Sequence, residues 1–341
     1  MIEDIWKRKR PYIIAEVSQN HDGSLGQAHA FIDAVAETGA DAIKFQTHIA
    51  EEESTIFEPF RVKFSYEDNT RYDYWKRMEF TEEQWFGLFQ HAREKGLDFI
   101  SSPFSVKALE MLERIGVPAW KFGAGEVFND ELLDLAIKTK KPILLSTGLS
   151  TYADIEKQIE KIRQNGNDFL IFQCVTAYPS TADMIDINLI PEMKKRFSCY
   201  VGISDHSATI YPALAATTLG ASAVEVHVTM SHRMFGPDVK ASVNIEQLKQ
   251  IVEGTKFIST MLQCDVNFDE RDENREALKG MFSKSLYAVE DLEEGTILTS
   301  EMFKAKKPNI GLDAKQINNI IGKKINKRIK KNEPLKEEEI Q

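Results

Sequence analysis

Apolar residues along this chain fall into eight short runs, each closing on a polar side chain, and most of the runs are separated by a stretch with helical spacing. They are YIIAEV, reaching Glu16; DAIKFQ, carrying Lys44; DFISSP, with Ser102; and PAWKFG, with Lys121. PILLST follows with Ser146, FLIFQC with Gln173, YVGISDH with Asp205 and His206, and AVEVH, ending at His227. Short apolar runs alternating with helical patterns read as strands of a parallel sheet joined by crossover helices. Eight such units predict an α/β chain folded as a (β/α)₈ TIM barrel, and such barrels place their chemistry at the C-terminal ends of the strands. The polar run ends are therefore expected to meet in one mouth. An open doubly wound sheet would gather its polar ends at one switch point, not on all eight runs.

The segments between the runs refine this picture. LGQAHAFIDAVAETGA sets Leu25, Ala28, Phe31, Ile32, Val35 and Ala36 on one helical face and stops at Gly39. Thr81 caps the next long helix pattern, with Glu82 and Glu83 in its positive first turn. Residues 48–80 break the alternation and are rich in charge and aromatics. At the C-terminal end of a barrel strand, such an insertion predicts a lid or specificity loop. The expected organisation is a barrel over 1–262, a charged linker over 263–283 and a small β-rich domain over 284–341. The basic stretch from Lys323 to Lys331 is expected to be a solvated strand surface.

Composition limits the function classes. The 341 residues exceed the about 250 of a typical barrel and leave room for the second domain. A net charge of −10 argues against general nucleic-acid binding, which needs a basic face. Three cysteines, Cys174, Cys199 and Cys264, without a CxxC spacing read as a reduced, cytoplasmic protein, with Cys174 serving core packing. No apolar stretch approaches the ~18 residues of a membrane helix. The N-terminal MIEDIWKRKRPY lacks the apolar region of a secretory signal.

Against this acidic background, two lysines inside apolar strands stand out. Burying Lys44 or Lys121 is costly unless each is paired or bound to an anion. A phosphate or carboxylate ligand is the expected partner, with Ser102, Ser146 and Ser204 as hydroxyl donors; an internal salt bridge is the alternative. His206 and His227 close adjacent strands and form a partial ligand set for Mn²⁺, Zn²⁺ or Fe²⁺. Two independently hydrogen-bonded histidines are the alternative there. His29 and His91 fall on helices and read as surface or packing residues. Glu16 and Glu126 are candidates for metal ligation or proton transfer.

Taken in order, IAEVSQNHDGSLGQA, IKFQTH, FISSPFS, WKFGAGE, ILLSTGLS, VGISDHS and VEVHVT followed by GPD resemble the N-acetylneuraminate (sialic acid) synthase family over nearly the whole chain. The C-terminal segment resembles that family's small antifreeze-like (SAF) domain. The resemblance implies an enzyme that condenses phosphoenolpyruvate with an N-acetylated mannosamine-like amino sugar, giving a nine-carbon 2-keto sugar acid and phosphate. It implies metal binding by His206 and His227, with Mn²⁺ the expected ion and Mg²⁺ or Co²⁺ the alternatives, and acid–base work by Glu16. Lys44, Ser102, Lys121, Ser146 and Ser204 match positions that hold phosphoenolpyruvate. Glu126, Tyr178 and Asp238 match positions facing the sugar. Phe282 matches a contact made by the small domain of a partner subunit, in a domain-swapped homodimer. Three positions depart from the family pattern: Lys307 in Lys-Pro-Asn where Arg-Pro-Gly is common, Ala124 for serine and Thr176 for asparagine. Lysine is a point charge and does not reproduce an arginine fork, so the departures bear on which sugar is accepted. Related condensing barrels that act on sugar phosphates, of the 3-deoxy-octulosonate phosphate type, lack the small domain. A non-catalytic glycan-binding homologue would be expected to have lost the charged mouth.

Overall fold

A computed structural model describes residues 2–267, 269 and 272–341. The chain divides between Cys264 and Asp265 into two compact units.

The first unit alternates strand and helix. Its strands are β1 (Tyr12–Ser18), β2 (Ala42–Thr47), β3 (Asp98–Pro103), β4 (Trp120–Phe122), β5 (Ile143–Ser146), β6 (Phe169–Cys174), β7 (Tyr200–Asp205) and β8 (Ala223–Thr229), with a short β9 (Val243–Asn244) beside β8. All neighbours pair in parallel in the order β3-β2-β1-β8-β7-β6-β5-β4. The path runs from β3 round to β4, which pack side by side without a ladder, so the barrel is nearly closed. Helices α1 (Leu25–Thr38), α4 (Glu82–Glu94), α5 (Val106–Ile115), α6 (Asp130–Lys138), α7 (Tyr152–Gln164), α8 (Leu189–Phe197), α9 (Tyr211–Thr218) and α10 (Ile245–Leu262) surround it. Two more, α2 (Ala50–Glu53) and α3 (Arg71–Met78), lie in the insertion after β2.

The sequence's own signals set these boundaries. Ser24 caps α1, which ends on Gly39 in the left-handed region. Thr81 and Gln84 form a reciprocal capping box on α4. Period-2 alternation sends one set of strand side chains outward against the helices and the other into the barrel. The outward set, including Ile13, Ala15, Ile43, Phe45 and Phe99, joins the helix faces in one large core. The inward set begins with an apolar plug of Tyr12, Ile14, Ala42, Ile100, Ala119, Leu144, Leu170, Phe172 and Ala223. Gly202 belongs to this face: a Cβ there would lie 2.9 Å from the Phe172 ring and 2.7 Å from the Ala223 carbonyl. Its missing side chain is what admits the ring.

The second unit is small. β10 (Ser285–Ala288) pairs antiparallel with β11 (Phe303–Lys306), and isolated bridges supply the remaining β structure among the described residues. Leu286, Leu298, Phe303, Ile325, Ile329 and Leu335 form its core, with Ile320 from α12 (Ile317–Ile320). The basic side chains from Lys323 to Lys331 are exposed. The segment expected to be linker holds a ten-residue helix, α11 (Glu273–Phe282), capped by Asp272. Helix α11 buries no side chain, so no apolar stripe marked it in the sequence. No helix among the described residues is long and apolar enough to cross a membrane.

Candidate active site

The inward face turns polar one residue pair above the apolar plug. Glu16, Lys44, Ser102, Lys121, Ser146, Ser204, Glu225 and His227 are all buried there. Parallel register makes them neighbours: Glu16 pairs with Lys44 on one side and His227 on the other, and Ser204 pairs with Glu225. The register shifts between Glu16 and Ser18. That bulge, with Ser18 at φ 49°, turns β1 into the following loop. Ser18 Oγ there donates to Asp238 at 2.7 Å.

A chain of contacts crosses this level. Lys121 Nζ donates to Ser146 Oγ at 2.7 Å and lies 3.2 Å from Glu225 Oε1. Glu225 accepts from Ser204 Oγ at 2.9 Å, and its Oε2 is 3.9 Å from Lys44 Nζ. Lys44 Nζ is 2.5 Å from Glu16 Oε1 and 3.4 Å from Ser102 Oγ. Glu16 Oε2 lies 3.5 Å from His227 Nε2. Burial alone would raise the Glu16 carboxyl, but Lys44, His227 and Lys121 overcome it and hold the group well below the usual carboxylate range. The same contest holds Lys44 up: burial disfavours its charge, and Glu16 and Glu225 restore it. Both lysines thus have carboxylate partners within the chain, and the Glu16–Lys44 pair stays ionised.

The two histidines sit beside this chain, their ring centroids 5.3 Å apart. His206 Nδ1 faces the Val175 carbonyl at 2.7 Å. A carbonyl only accepts, so Nδ1 carries the proton and Nε2 keeps its lone pair. Burial, helped by His227, pushes His206 down to about 4, so it is neutral near pH 7. His227 Nδ1 is buried without a hydrogen-bond partner. His206 Nε2 and the unpartnered Nδ1 of His227 are imidazole nitrogens of the kind a divalent transition metal favours. Among the described residues no group of three or more His, Cys, Asp or Glu side chains is arranged to hold a metal.

Above them opens a cavity of about 630 Å³. Tyr178 stacks on His206 at 4.1 Å, and Arg61 stands 4.2 Å over the Tyr178 ring while pairing with Asp238 at 3.0 Å. Glu126 lines the cavity, accepts from Asn129 and is pushed up by burial. The insertion contributes Glu52, Glu53, Glu58, Phe60, Arg61, Arg71 and Trp75 to the wall. Two other expected residues, Phe282 and Lys307, belong to the second unit. Lys307 Nζ lies 5.1 Å over the Phe282 ring, and Asn309 N donates to the Gly280 carbonyl at 2.8 Å. His29 and His91 meet on the outer helices, 2.9 Å apart through their Nδ1 atoms, away from the mouth. Cys174 is pushed up to about 11 by burial, which leaves it a neutral thiol.

Several site residues escaped the sequence reading. Glu225 was hidden between two valines of AVEVH, although its position two residues before His227 gives it the same inward direction. Gln46 has the same relation to Lys44 and donates to Glu16 Oε1 at 2.7 Å. His48 and the residues of the insertion carried no periodic signal.

Comparison with known proteins places the chain among enzymes of acidic-sugar synthesis. The model of the NeuB family matches residues 31–267, and that of the SAF domain matches residues 283–341. The chain is 32% identical to the pseudaminic acid synthase of Helicobacter pylori, over 97% of this chain and 98% of that protein. It is 29% identical to the N,N'-diacetyllegionaminic acid synthase of Campylobacter jejuni, over 96% of this chain and 100% of that one. A crystal structure of N-acetylneuraminic acid (sialic acid) synthetase from Leptospira borgpetersenii superposes with a TM-score of 0.69 at 28% identity, covering 80% of this chain and 91% of that one.

Proposed function

The chain belongs to the NeuB family, whose named relatives are sialic-acid-type synthases, and from that premise we propose that it joins phosphoenolpyruvate to an acylated amino-sugar aldose. The products are a nine-carbon 2-keto sugar acid and phosphate. The acceptor is N-acetylmannosamine or a diacetamido precursor of legionaminic or pseudaminic acid. The observation that carries this reading is the unbroken contact chain Ser146–Lys121–Glu225–Lys44–Glu16–His227, with His206 beside it. It brings cations, carboxylates and imidazoles together at one level of the barrel, next to the cavity that His227 lines.

In this reaction C3 of the enol attacks the aldehyde carbon and the carbonyl electrons pass to its oxygen, which takes a proton. The C2 cation adds water and loses a proton, and the tetrahedral carbon then expels phosphate, its hydroxyl proton passing to the departing phosphate to leave the ketone. Lys44 and Lys121 hold the phosphate and carboxylate of phosphoenolpyruvate, which compete with Glu16 and Glu225 for the two ammonium groups, and the serine hydroxyls orient them. When the anionic substrate draws Lys44 away, Glu16 loses the partner that depresses it and becomes a better proton acceptor for the attacking water. A divalent cation held by His206 and His227, Mn²⁺ first and Mg²⁺ or Co²⁺ as alternatives, would supply Lewis-acid polarisation of the aldehyde oxygen. Tyr178, Asp238 and Glu126 bind the sugar. Phe282 and Lys307 act from the partner subunit of a domain-swapped homodimer. Synthesis from phosphoenolpyruvate agrees with a cytoplasmic location.

The test is phosphate release from phosphoenolpyruvate with Mn²⁺ and a panel of acceptors: N-acetylmannosamine, 2,4-diacetamido hexoses and arabinose 5-phosphate. Release with an unphosphorylated amino sugar is the expected result. Release only with the sugar phosphate would transfer the chain to the 3-deoxy-octulosonate class, and release with none would leave a glycan-binding homologue. Light scattering that finds a fully active monomer would remove the domain swap.

A further inference from the structure

The insertion carries a pair that the reaction above does not use. His48, between β2 and α2, lies flat between Trp75 and Phe104, with centroids at 4.0 and 4.3 Å and planes within 19° of parallel. Its Nδ1 is 2.6 Å from Glu53 Oε1 and its Nε2 is 3.3 Å from Gln46 Oε1. Glu16 decides which way the Gln46 amide points. A carboxylate only accepts, so the Gln46 atom that reaches Glu16 Oε1 at 2.7 Å is Nε2. Gln46 Oε1 then faces His48 and also accepts from Gln19 Nε2 at 3.0 Å. A carboxylate oxygen and an amide oxygen both only accept, so His48 donates from Nδ1 to Glu53 and from Nε2 to Gln46, and the stacked rings fix its plane.

His48 thus holds Glu53 at one oxygen. The other, Glu53 Oε2, is buried without a hydrogen-bond partner, on a side chain only 9% exposed. A buried carboxylate oxygen with no donor is costly and calls for an explanation. Glu53 lines the same cavity as Tyr178, Asp238 and His227, and a rotation of its carboxyl would turn the sealed Oε2 toward whatever fills that cavity.

We propose that Glu53 is a specificity-determining residue that accepts, at Oε2, a hydrogen bond from an O–H or amide N–H of the acceptor sugar, and that His48 is its positioning residue. The inference rests on the amino-sugar reading above and deepens it. Glu53–His48–Gln46–Glu16 is then one hydrogen-bonded chain from the sugar contact to the carboxylate at the reacting end. A sugar lacking the donor leaves Oε2 unpaired, which is how polar sites reject analogues.

The test uses the full-length enzyme with Glu53→Gln. The amide oxygen of this isostere still serves His48, but an NH₂ donor replaces the Oε2 acceptor. KM for the acceptor is expected to rise about tenfold or more, with KM for phosphoenolpyruvate unchanged within about twofold. His48→Gln should act in the same direction with a smaller rise. N-acetylmannosamine and a 2,4-diacetamido hexose distinguish the donor: a larger penalty on the first assigns a hydroxyl, a larger penalty on the second an amide N–H. Equal acceptor KM values in Glu53→Gln and the unaltered enzyme would overturn the proposal. So would a parallel rise in both substrates' KM with a lowered melting temperature, which marks a structural role. If the unaltered enzyme releases no phosphate with any sugar, the reaction assignment fails, and calorimetric titration of the same sugars decides this inference. Weaker binding by Glu53→Gln upholds it; equal or absent binding overturns it.

Discussion

Ile14, Ala42, Ile100, Leu144 and Ala223, with Ala119 just ahead of β4, sit two residues before Glu16, Lys44, Ser102, Ser146, Glu225 and Lys121 respectively. The two levels share one inward direction and one degree of burial, yet one is apolar and the other carries two ammonium groups and two carboxylates. The lower level excludes water and packs, as barrel interiors do. The upper level accepts the desolvation cost of buried charge, which pairing offsets only in part. Buried charge is therefore weak support for the fold, and its concentration at this level agrees with the chemistry proposed there.

Removing one partner is the strongest way to challenge this contrast. Lys121→Met leaves Glu225 with one ammonium group at 3.9 Å and is expected to cost about 3–5 kcal/mol of stability. Adding Glu225→Leu to it should recover much of that loss without recovering turnover, as denaturant melts and phosphate release would show. If the double variant stays as unstable as the single one, the charges serve the fold as well as the site. Next in size is His206→Ala. Its turnover with Mn²⁺ should fall more than about hundredfold, beyond the usual loss for groups that only support a ligand, with the melting temperature little changed. Normal turnover in chelator-treated buffer would remove the metal from this mouth.

The sequence revealed the barrel and most of the polar level for the same reason: period-2 alternation and parallel register act locally and repeat eight times. It concealed Glu225 because a single charge between valines looks like any strand interruption until its parity is counted against His227. It concealed α2 and α3 because the apolar face of α3 is only Tyr74, Trp75 and Met78, and its cover, Phe60 and Phe64, comes from irregular chain before the helix. Helix α11 looks like linker in the sequence because its surface is solvated all round, so charge density alone does not separate it from coil. Phe282 and Lys307 were assigned from resemblance. They meet each other in the second unit, an arrangement their spacing in the chain does not foretell.

A smaller effect comes from protons, and it distinguishes the buried groups by sign. His21 and His206 are pushed by burial to about 3 and about 4, from an ordinary 6.5. Each stays neutral in the fold but binds a proton on unfolding, so the stability each gives is complete above pH 6.5 and is lost as pH falls through these values. Asp205 is pushed by burial up to about 6. It holds its proton in the fold and releases it on unfolding, so its contribution falls as pH rises from about 4 to 6. Near pH 5 two protons are gained and one is lost. In the metal-free protein these three groups together should therefore add about 1.4 kcal/mol of stability per pH unit as pH rises there. His21→Gln should flatten that slope, measured by denaturant midpoints across pH 4–6.5. An unchanged slope would mean that His21 is charged in the fold.

The smallest expected effect lies farthest from the charged level. Thr81 accepts from the Gln84 N–H, and the Gln84 side chain accepts from the Thr81 N–H, closing the first turn of α4. Thr81→Ala removes the first of these bonds and is expected to cost about 1 kcal/mol. The helix packs Trp85, Leu88 and Phe89 against the outer face of the barrel, and neither cap residue lines the cavity. Turnover and both KM values should therefore stay unchanged at temperatures where the variant is folded. That outcome would place α4 with the lower level as structural support. A change in acceptor KM would instead show that the outer helices set the shape of the insertion above the mouth, since Trp85 reaches Phe80, the last aromatic of that segment. The separation between packing and chemistry would then run through the insertion as well as between the two levels of the barrel.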